Sequence, residues 1–315
     1  MISYLIRRIV TSVIVVIGVS IFIFVLLHAA YPSPARDVLG LSARPAQIAA
    51  WNKANGYDDP VIVQYLRYMN NLLHGNLGYS YVENQSVAAL FEERLWRSIY
   101  LSAVSLLIAL IIAVPLGIFQ AVKRNSIGDN VATSVAFILY SMPVFFLGLI
   151  LIQVFALSFP IFNFEASQST DIWVVMGDWY SMTLPIMTLA LITVAAFSRY
   201  QRSSAMDVLT QDYIKVARAK GLPERLVLWR HLVRNASLPM VTLVGLFLPA
   251  LLAGNLIVET LFNYQGLGLL FYTSLQKVDY PVMLAYTLAG AVLVVIGNLA
   301  ADIALTVADP RIRLA

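Results

Sequence analysis

The chain has 315 residues, of which 60% are hydrophobic and only 12% charged, whereas an ordinary soluble domain carries about 25% charged residues, so its solvent is expected to be largely a lipid bilayer. The absence of cysteine excludes a disulfide framework, a thiolate zinc site and a cysteine nucleophile, and three scattered histidines argue against a catalytic metal cluster. The net charge of +4 would suit a nucleic-acid partner in a soluble protein, but in a membrane protein the position of the basic residues matters more than their sum.

Six stretches of the chain are long and apolar enough to cross a bilayer. A helix needs about 20 mostly apolar residues to cross roughly 30 Å of hydrocarbon, and it pairs its backbone polar groups internally. The sequence therefore predicts an all-α polytopic membrane protein with six transmembrane helices, in which residues 1–315 form one transmembrane domain. The predicted spans are approximately residues 9–30, 99–122, 131–157, 182–197, 238–258 and 282–307.

The first stretch also resembles a secretory signal in outline. Arg7 and Arg8 precede an apolar run that ends near Ala29 and Ala30. That run is longer than the roughly 7–15 apolar residues of a cleaved signal, and no small-x-small cleavage site follows it. We therefore interpret the stretch as the first membrane span.

The basic residues indicate that both termini lie on the inner side of the membrane. Short cytoplasmic loops carry an excess of Lys and Arg. With the N-terminus inside, the two short outer loops contain only Lys277, and the outer loop of residues 31–98 is too long for the rule to count. The basic residues on the inner side are then Arg7, Arg8, Lys123, Arg124, Arg199, Arg202, Lys215, Arg218, Lys220, Arg225, Arg230, Arg234, Arg311 and Arg313.

The long outer loop contains one amphipathic helix. Val61, Tyr65, Met69 and Leu72 recur at helical spacing. Tyrosine favours the headgroup level of a membrane, so we expect this helix to lie at the interface, with contact to another protein as the alternative. Acidic residues also collect on the outer side, where they form either a solvated face or a surface for a basic partner.

Proline and one acid stand out inside the predicted spans. Pro115, Pro143, Pro185 and Pro249 each remove a helix hydrogen bond, which either shapes a cavity or hinge or serves packing alone. Asp302 is the acid within a predicted span, and a charge inside a membrane is a functional candidate. It lies close to the inner end of its span, so it can instead reach the interface or pair with the basic tail.

A strongly basic stretch, DYIKVARAKGLPERLVLWRHLVRN, lies in the inner loop of residues 198–237, between the fourth and fifth predicted spans. Apolar residues at helical spacing predict an amphipathic helix in its first half, with basic and acidic residues mostly on the other sides. The predicted apolar stripe consists of Met206, Leu209, Tyr213 and Ala217.

The same stretch is expected to bend at Gly221. Glycine suits the left-handed turn that closes a helix, and Pro223 suits the first turn of the next helix, where its missing N–H costs nothing. A second short helix follows, with Leu226, Trp229 and Val233 on one side. The prediction is an elbow of two short helices beside the membrane.

Two interpretations of this elbow remain open from periodicity alone. A basic amphipathic segment adheres to anionic lipid, and the positive-inside bias by itself would place Arg218, Lys220 and Arg225 at the bend. The alternative is a site for a protein partner. A helix-turn-helix for DNA is formally possible, but the attachment to two membrane spans argues against it.

The residues of the elbow resemble a known motif. The matching residues are ARAKG at 217–221, RH at 230–231, and RNA with LP up to residue 239. Together they are similar to the EAA motif of ABC importer permeases, in the version carried by the dipeptide and oligopeptide family. Lys215 stands where glutamate is usual in the general motif, Val216 where the first alanine is usual, and the spacing from Gly221 to the LP pair is longer; these departures are typical of the peptide branch.

The resemblance extends over most of the chain. Several other segments resemble the corresponding parts of that family. They are the first span, the outer-loop segment GYDDPVIVQYLRYMNNLLHGNLGYSY, the segments PLGIFQAVKRNS and YSMPVFFLGL, the loop VETLFNYQGLG and the tail NLAADIALTVADPRIR. The match is poorest at PSPARD and at residues 163–180, which lie outside and put the preference for substrate or binding protein in question rather than the class.

In this family the helix before the glycine docks in a groove of a cytoplasmic ATPase subunit. The resemblance therefore implies a coupling site, and it implies partners: a second, related permease subunit, two ABC ATPase subunits, an extracytoplasmic solute-binding protein and the lipid of a prokaryotic cytoplasmic membrane. The residues expected to couple the chain to the ATPase are Asp212, Tyr213, Ala217, Arg218, Ala219, Lys220 and Gly221.

The expected function is the import of short peptides by alternating access. The chain has no G-x-x-x-x-G-K-[ST] loop, so it is not expected to be an enzyme or to hold a cofactor, and ATP and Mg²⁺ would be bound by the partner ATPase subunits. The alternative is an ion-coupled secondary transporter, which would ordinarily show inverted repeats and a carboxylate at the midplane of the bilayer. The sequence shows neither, and its nucleophiles and acids are too sparse for a membrane-embedded enzyme.

Overall fold

The computed structural model describes residues 2–31, 33–40, 42–253 and 255–308, and nearly all of its regular structure is helical. The exception is one antiparallel pair of two-residue strands, in which Tyr79 pairs with Ser86. The elements of the first half are α1 (Ile2–Ala30), α2 (Ala35–Leu39), α3 (Pro45–Asn55), α4 (Val61–Leu73), β1 (Tyr79–Ser80), β2 (Gln85–Ser86), α5 (Val87–Val122), α6 (Ile127–Ser141) and α7 (Val144–Ile152).

The second half continues the helical pattern and includes π-helical turns at Gln153–Ser158 and Val227–Val233. The side chains of Pro249 and Asp302 lie outside the described residues. The helices are α8 (Ile172–Gly177), α9 (Trp179–Leu209), α10 (Asp212–Ala219), α11 (Glu224–Leu226), α12 (Arg234–Ala236), α13 (Leu238–Ala253), α14 (Leu256–Leu261), α15 (Leu267–Gln276) and α16 (Tyr280–Ala308).

Four or five candidate membrane spans lie in the described part of the chain. Four of them are single helices: Val10–Ala30, Val87–Val122, Trp179–Leu209 and Tyr280–Ala300. A fifth is formed if the bent pair Ile127–Ser141 and Val144–Ser158 is counted as one span. The 16 residues of α13 rise only about 24 Å, less than the roughly 30 Å of hydrocarbon, so the span predicted over residues 238–258 stays a prediction.

Two of the spanning helices extend well into the predicted loops. α5 begins at Val87, where the Ser86 Oγ accepts a hydrogen bond from the Ala89 N–H at 3.3 Å, so its first turns occupy the end of the predicted outer loop. α9 continues to Leu209, and the beginning of the predicted inner loop of residues 198–237 is therefore helical. Hydropathy shows where the polar residues of the sequence begin. A helix ends only where its backbone hydrogen bonds stop, so its end need not coincide with the change in hydropathy.

The third predicted span is broken. α6 and α7 meet at an angle of 106° at Met142 and Pro143, where the sequence predicted one span over residues 131–157. Met142 is extended (φ −82°, ψ 131°), because the residue before proline is disfavoured in helical conformation. The stretch predicted as a span over residues 131–157 therefore consists of two helices with a sharp bend at Pro143, a position where the sequence left a hinge open as one role of the proline. Pro115 and Pro185 lie inside α5 and α9, which continue past them.

α5 and α9 cross so closely that their backbones touch. A Cβ at Gly117 of α5 would lie 2.6 Å from the Gln201 Cβ and 2.6 Å from the Ser198 carbonyl oxygen of α9. Only a hydrogen atom fits there, so glycine at residue 117 permits the crossing. The largest cluster of buried apolar side chains packs around these two helices, and it includes Leu101, Leu147, Leu151, Val175, Met182, Leu184, Val258 and Phe262.

The outer helix α4 packs on α1 and α16 through aromatic rings. The Tyr65 hydroxyl lies 2.7 Å from the Ser20 Oγ, and the Tyr65 ring meets the Phe24 ring edge to face with 5.4 Å between the centroids. Tyr280 of α16 contacts the same Phe24 ring at 6.4 Å. The predicted amphipathic helix is confirmed, although Val61 at its start is 38% exposed. Tyr65 and Tyr68 pack within the chain, whereas Ile62, Leu66 and Leu73 of the same helix are exposed.

Glu259 is fully buried and organises the loop that follows α13. Its carboxylate accepts hydrogen bonds from the Ser98 hydroxyl (2.7 Å) and from the backbone N–H groups of Asn255 (3.1 Å), Gly268 (2.7 Å) and Leu269 (3.1 Å). Burial raises the pKa of Glu259 to about 7, while these four donors act against the rise. The carboxylate caps the N-terminus of α15 and connects it to α5.

Gly117→Val is expected to separate α5 from α9 at their crossing. The new side chain overlaps backbone atoms that cannot rotate away, and overpacking of this kind costs about 1–3 kcal/mol. The midpoint of thermal unfolding of the purified protein in detergent should fall. Gly18→Val is the matched control, because no atom lies within 4 Å of a Cβ at that helical glycine. An equal effect of both substitutions would contradict the close crossing.

Candidate functional site

The inner loop folds into an elbow, defined here as the chain from Gln211 through α10, α11 and α12. Gln211 is extended (φ −68°, ψ 146°) and ends the helical path of α9. Met206 and Leu209 therefore lie on α9, while Tyr213 and Ala217 lie on α10. The predicted four-residue stripe is wrong, because a non-helical turn separates its two halves.

α10 buries one side and exposes the other. Ile214 is fully buried and Ala217 is 5% exposed, and both pack against the fully buried Val227 of the following segment. Val216 is 50% exposed and Tyr213 is 42% exposed. α10 thus rests on the rest of the elbow and presents apolar groups away from it. We call Asp212, Tyr213, Val216 and Ala219, with Lys220 directly after the helix, the outward face of α10, and all five are exposed.

The turn after α10 is a complete Schellman motif. Gly221 has φ +76°, and its N–H donates to the Arg218 carbonyl at 2.9 Å, while the Leu222 N–H donates to the Ala217 carbonyl at 3.3 Å. The left-handed conformation predicted for Gly221 is confirmed. Pro223 lies just before α11 in an extended conformation, one position earlier than the first helical turn that the sequence suggested.

Two ion pairs hold charges in place on the elbow. The Arg218 guanidinium donates to Glu224 across the turn at 2.6 and 3.2 Å, and the Lys215 ammonium lies 2.9 Å from Asp212. Arg218 lowers the pKa of Glu224, and Lys215 lowers the pKa of Asp212. These bonds are present at neutral pH and are lost only as the pH falls through the lowered pKa values. Both pairs are exposed, so they orient side chains more than they stabilise the fold.

The segment after the turn, which we call the second limb, differs from the predicted helix. After the three residues of α11, π-helical turns run from Val227 to Val233. These wider turns shift the side chains, so that Val227 and Leu232 are buried. Trp229, which the sequence grouped with Leu226 and Val233, is 67% exposed. The predicted face is therefore not the packed face.

The second limb is attached to two spanning helices, α5 and α9, at the ends that lie next to the elbow. Leu232 and Ala236 are fully buried, and they pack with Ala205 of α9 and Ala121 of α5. Alanine at these two positions lets the limb approach the helices closely. The elbow is thereby joined to the membrane part by a compact apolar contact.

A buried ion pair lies beside this attachment. Arg202 of α9 donates to both carboxylate oxygens of Asp129 at 2.9 Å each, and Asp129 is 1% exposed. The Asn125 N–H and the Thr133 hydroxyl donate to the same carboxylate at 3.0 and 3.2 Å. With four donors, the buried charge is compensated, and removal of either partner would leave an unpaired charge. The pair connects α6 to α9 at their inner ends.

The structure brings the residues expected to couple to an ATPase together on α10 and its turn. Asp212, Tyr213, Arg218, Ala219, Lys220 and Gly221 are exposed, whereas Ala217 faces inward. The sequence did not single out Val216 on the outward face or Glu224, which pairs with Arg218 across the turn. Glu224 follows Arg218 across the turn predicted at Gly221, and the opposite charges of the two residues indicate an ion pair from the sequence alone. Nothing in the sequence spacing pairs Asp129 with Arg202.

Comparison with known families covers nearly the whole chain. Residues 113–314 match the family described as binding-protein-dependent transport system inner membrane component. Residues 1–102 match the N-terminal region described for the membrane components of the same kind of system. The elbow, the bent third span and the buried Glu259 fall within the first match, and the aromatic contacts of α4 fall within the second.

Two curated relatives are similar along their full length. The oligopeptide transport system permease protein AppB of Bacillus subtilis (strain 168) is 38% identical over 317 residues, which covers 99% of this chain and 100% of the relative. The glutathione transport system permease protein GsiC of Escherichia coli (strain K12) is 33% identical over 313 residues, which covers 99% of both chains.

Gly221→Val is expected to open the turn of the elbow. No atom lies within 4 Å of a Cβ at residue 221, so the substitution acts through the left-handed backbone alone, at about 1–2 kcal/mol. Hydrogen–deuterium exchange at Leu222 should accelerate about tenfold. Gly221→Asn is the control, because asparagine tolerates this conformation and should retain most of the protection. Equal protection in both variants would contradict a strained turn.

Proposed function

We propose that this chain, which belongs to the family of binding-protein-dependent transport system inner membrane components, is the permease subunit through which an ATP-driven importer moves short peptides into the cell. The names of AppB and GsiC refer to oligopeptides and to glutathione, itself a short peptide. Their similarity over the full chain supports a peptide cargo here. The family consists of membrane subunits without catalytic activity, so ATP hydrolysis belongs to a partner.

The observation that carries this function is the outward face of α10. Val216 and Tyr213 are about half exposed on a helix whose opposite side is buried against the second limb. Exposed apolar groups beside paired charges suit a protein groove, with Tyr213 as a rigid contact residue. We assign this face to the groove of a cytoplasmic ATPase subunit.

Motion of the ATPase subunits would reach the spans through the elbow. α10 packs on Val227 of the second limb, and the second limb packs on Ala121 and Ala205 of α5 and α9. Closure of two ATPase subunits around ATP would push α10, and the attached helices would rock so that the pathway opens alternately to each side. ATP and Mg²⁺ would be bound in those subunits.

A binding-protein-dependent system has a binding protein and an ATPase as partners. We propose further that the pathway forms between this chain and a second, related permease subunit, with two ATPase subunits below them. In this arrangement α13 completes a sixth span, both termini lie in the cytoplasm, and the elbow faces the positively charged inner side.

The proposed function is tested by reconstitution of the chain with its partners in proteoliposomes. Uptake of a radiolabelled tripeptide should require the binding protein, and it should require ATP on the side of the vesicle membrane where the ATPase lies. It should persist when ion gradients are collapsed. An ion-coupled secondary transporter, the alternative, would give the opposite pattern. Uptake that is driven by an ion gradient without ATP would therefore overturn the proposal.

Val216→Asp is expected to weaken the attachment of the ATPase. The carboxylate would place an uncompensated charge in an apolar contact, which costs several-fold to a hundredfold in affinity. Co-purification of the ATPase in mild detergent should fall at least tenfold, and peptide uptake should fall with it. Val216→Thr, which keeps the shape of the side chain without a charge, is the matched control. Retention of the ATPase by the aspartate variant would remove α10 from the docking surface.

A further inference from the structure

A cavity of about 470 Å³ lies between α5, α6 and α9, close to the elbow. Its volume falls within the roughly 300–1,000 Å³ of small-molecule sites. The side chains used below are among those that line it: Gln120 of α5, Thr133, Phe137 and Tyr140 of α6, and Arg199 and Ser203 of α9.

Arg199 provides the cavity with a positive charge. Its guanidinium carbon lies 4.5 Å from the centre of the Phe137 ring and 4.9 Å from that of Tyr140. No carboxylate among the described residues pairs with it, in contrast to Arg202, which is held by Asp129. Two aromatic faces thus orient a cation whose hydrogen-bond donors remain available to an anion.

Gln120, which lines the same cavity, has a buried amide oxygen that lacks a hydrogen-bond partner in the described part of the chain. The residue is 1% exposed, and its amide nitrogen donates to the Thr133 hydroxyl at 3.1 Å. Its Oε1 has no hydrogen-bond partner among the described residues. Buried polar atoms are normally paired, so this oxygen indicates a missing donor. The cavity therefore suits a molecule that carries both a negative group and an N–H donor.

One side of α6 carries polar side chains, although the helix belongs to a candidate span. Asn130, Ser134 and Ser141 recur along this side together with Phe137, and all four are exposed, while Val131, Val135 and Ile138 are exposed on the adjoining side. Ser203 of α9 is exposed as well. Polar side chains in a span face a protein interior or water rather than lipid tails. The polar residues on this side favour an opening toward an aqueous path or a partner subunit, and the nanodisc experiment below tests a lipid as the other occupant.

We propose that this cavity is a cargo station on the inner half of the transport path, where Arg199 binds the carboxylate of a short peptide and Gln120 accepts one of its N–H groups. The proposal rests on the function proposed above and identifies a site for the cargo in this chain. Phe137 and Tyr140 hold the guanidinium in place and contact the side chains of the peptide. A carboxylate and a guanidinium form the strongest class of neutral-pH hydrogen bonds available to such a cargo.

Photolabelling of the complete importer in nanodiscs tests the site. The binding protein is left out, so that only the membrane subunits determine which form of the probe binds. The probe is alanyl-p-benzoylphenylalanine, used as the free acid and as the C-terminal amide, and the labelled residues are mapped by mass spectrometry. The acid should label α6 or α9 around the cavity, and the amide about tenfold less.

Arg199→Gln should reduce labelling by the acid about tenfold, to the level of the amide. Arg199→Lys, which keeps the charge, should restore a substantial part of it and shows that the loss does not come from misfolding. Arg124→Gln is the matched control, because Arg124 is exposed in the turn between α5 and α6 and does not line the cavity. It should label as strongly as the unaltered protein.

Equal labelling by acid and amide, or labelling unaffected by Arg199→Gln, would overturn the proposal. It would also fail if phosphatidylglycerol in the nanodisc abolished labelling and was itself retained by the purified protein in an Arg199-dependent way, since the site would then hold a lipid. Binding-protein-driven uptake of the acid is measured in parallel. If uptake occurs while the cavity stays unlabelled, the cargo station fails and the transport function stands; if uptake itself is absent, both fail.

Discussion

The apolar contact between the second limb and the spans is the attachment on which the position of the whole elbow depends. Leu232 and Ala236 are buried against Ala121 and Ala205, where small side chains allow close approach. α10 is in turn seated on the limb through Ile214 and its neighbours. Without the contact between the limb and the spans, the limb on which α10 packs would not be held in place. A displacement of α10 would then move only the loop and would not reach α5 and α9.

One helix, α9, connects the elbow to the cavity. Its inner end carries Ala205 in the attachment, Arg202 in the ion pair with Asp129, and Arg199 in the cavity, all within a few turns. A rotation of this end moves the guanidinium of Arg199 together with the seat of the elbow. The same rigid element thus relates the position of the proposed docking surface to the shape of the space in which we place the cargo.

Much of this architecture could be predicted from sequence because it depends on strong local constraints. Hydropathy located the spanning helices, and Gly221 predicted a left-handed turn, a conformation that glycine adopts more readily than other residues. Pro143 marked a bend, although its size of 106° depends on how α7 packs and is not written in any local pattern. Helix ends were less accurate, since α9 continues through charged residues that hydropathy reads as loop.

The remaining features depend on contacts distant in sequence. The π-helical turns of the second limb insert a residue per turn, so a 3.6-residue period assigned the packed face to the wrong side chains. The partnership of Asp129 with Arg202 spans 73 positions and arises only when α6 lies on α9. The cavity likewise combines three helices, and the unsatisfied oxygen of Gln120 is visible only in the folded chain.

The glycine crossing of α5 and α9 restricts the kind of movement that is open to the protein. Packed helices commonly slide past each other by small changes of side-chain rotamers in the layer between them. At Gly117 that layer is missing, and backbone meets backbone. The pair is therefore suited to swing as a single lever about its ends, so opening and closing of the path would be a hinge motion rather than shear.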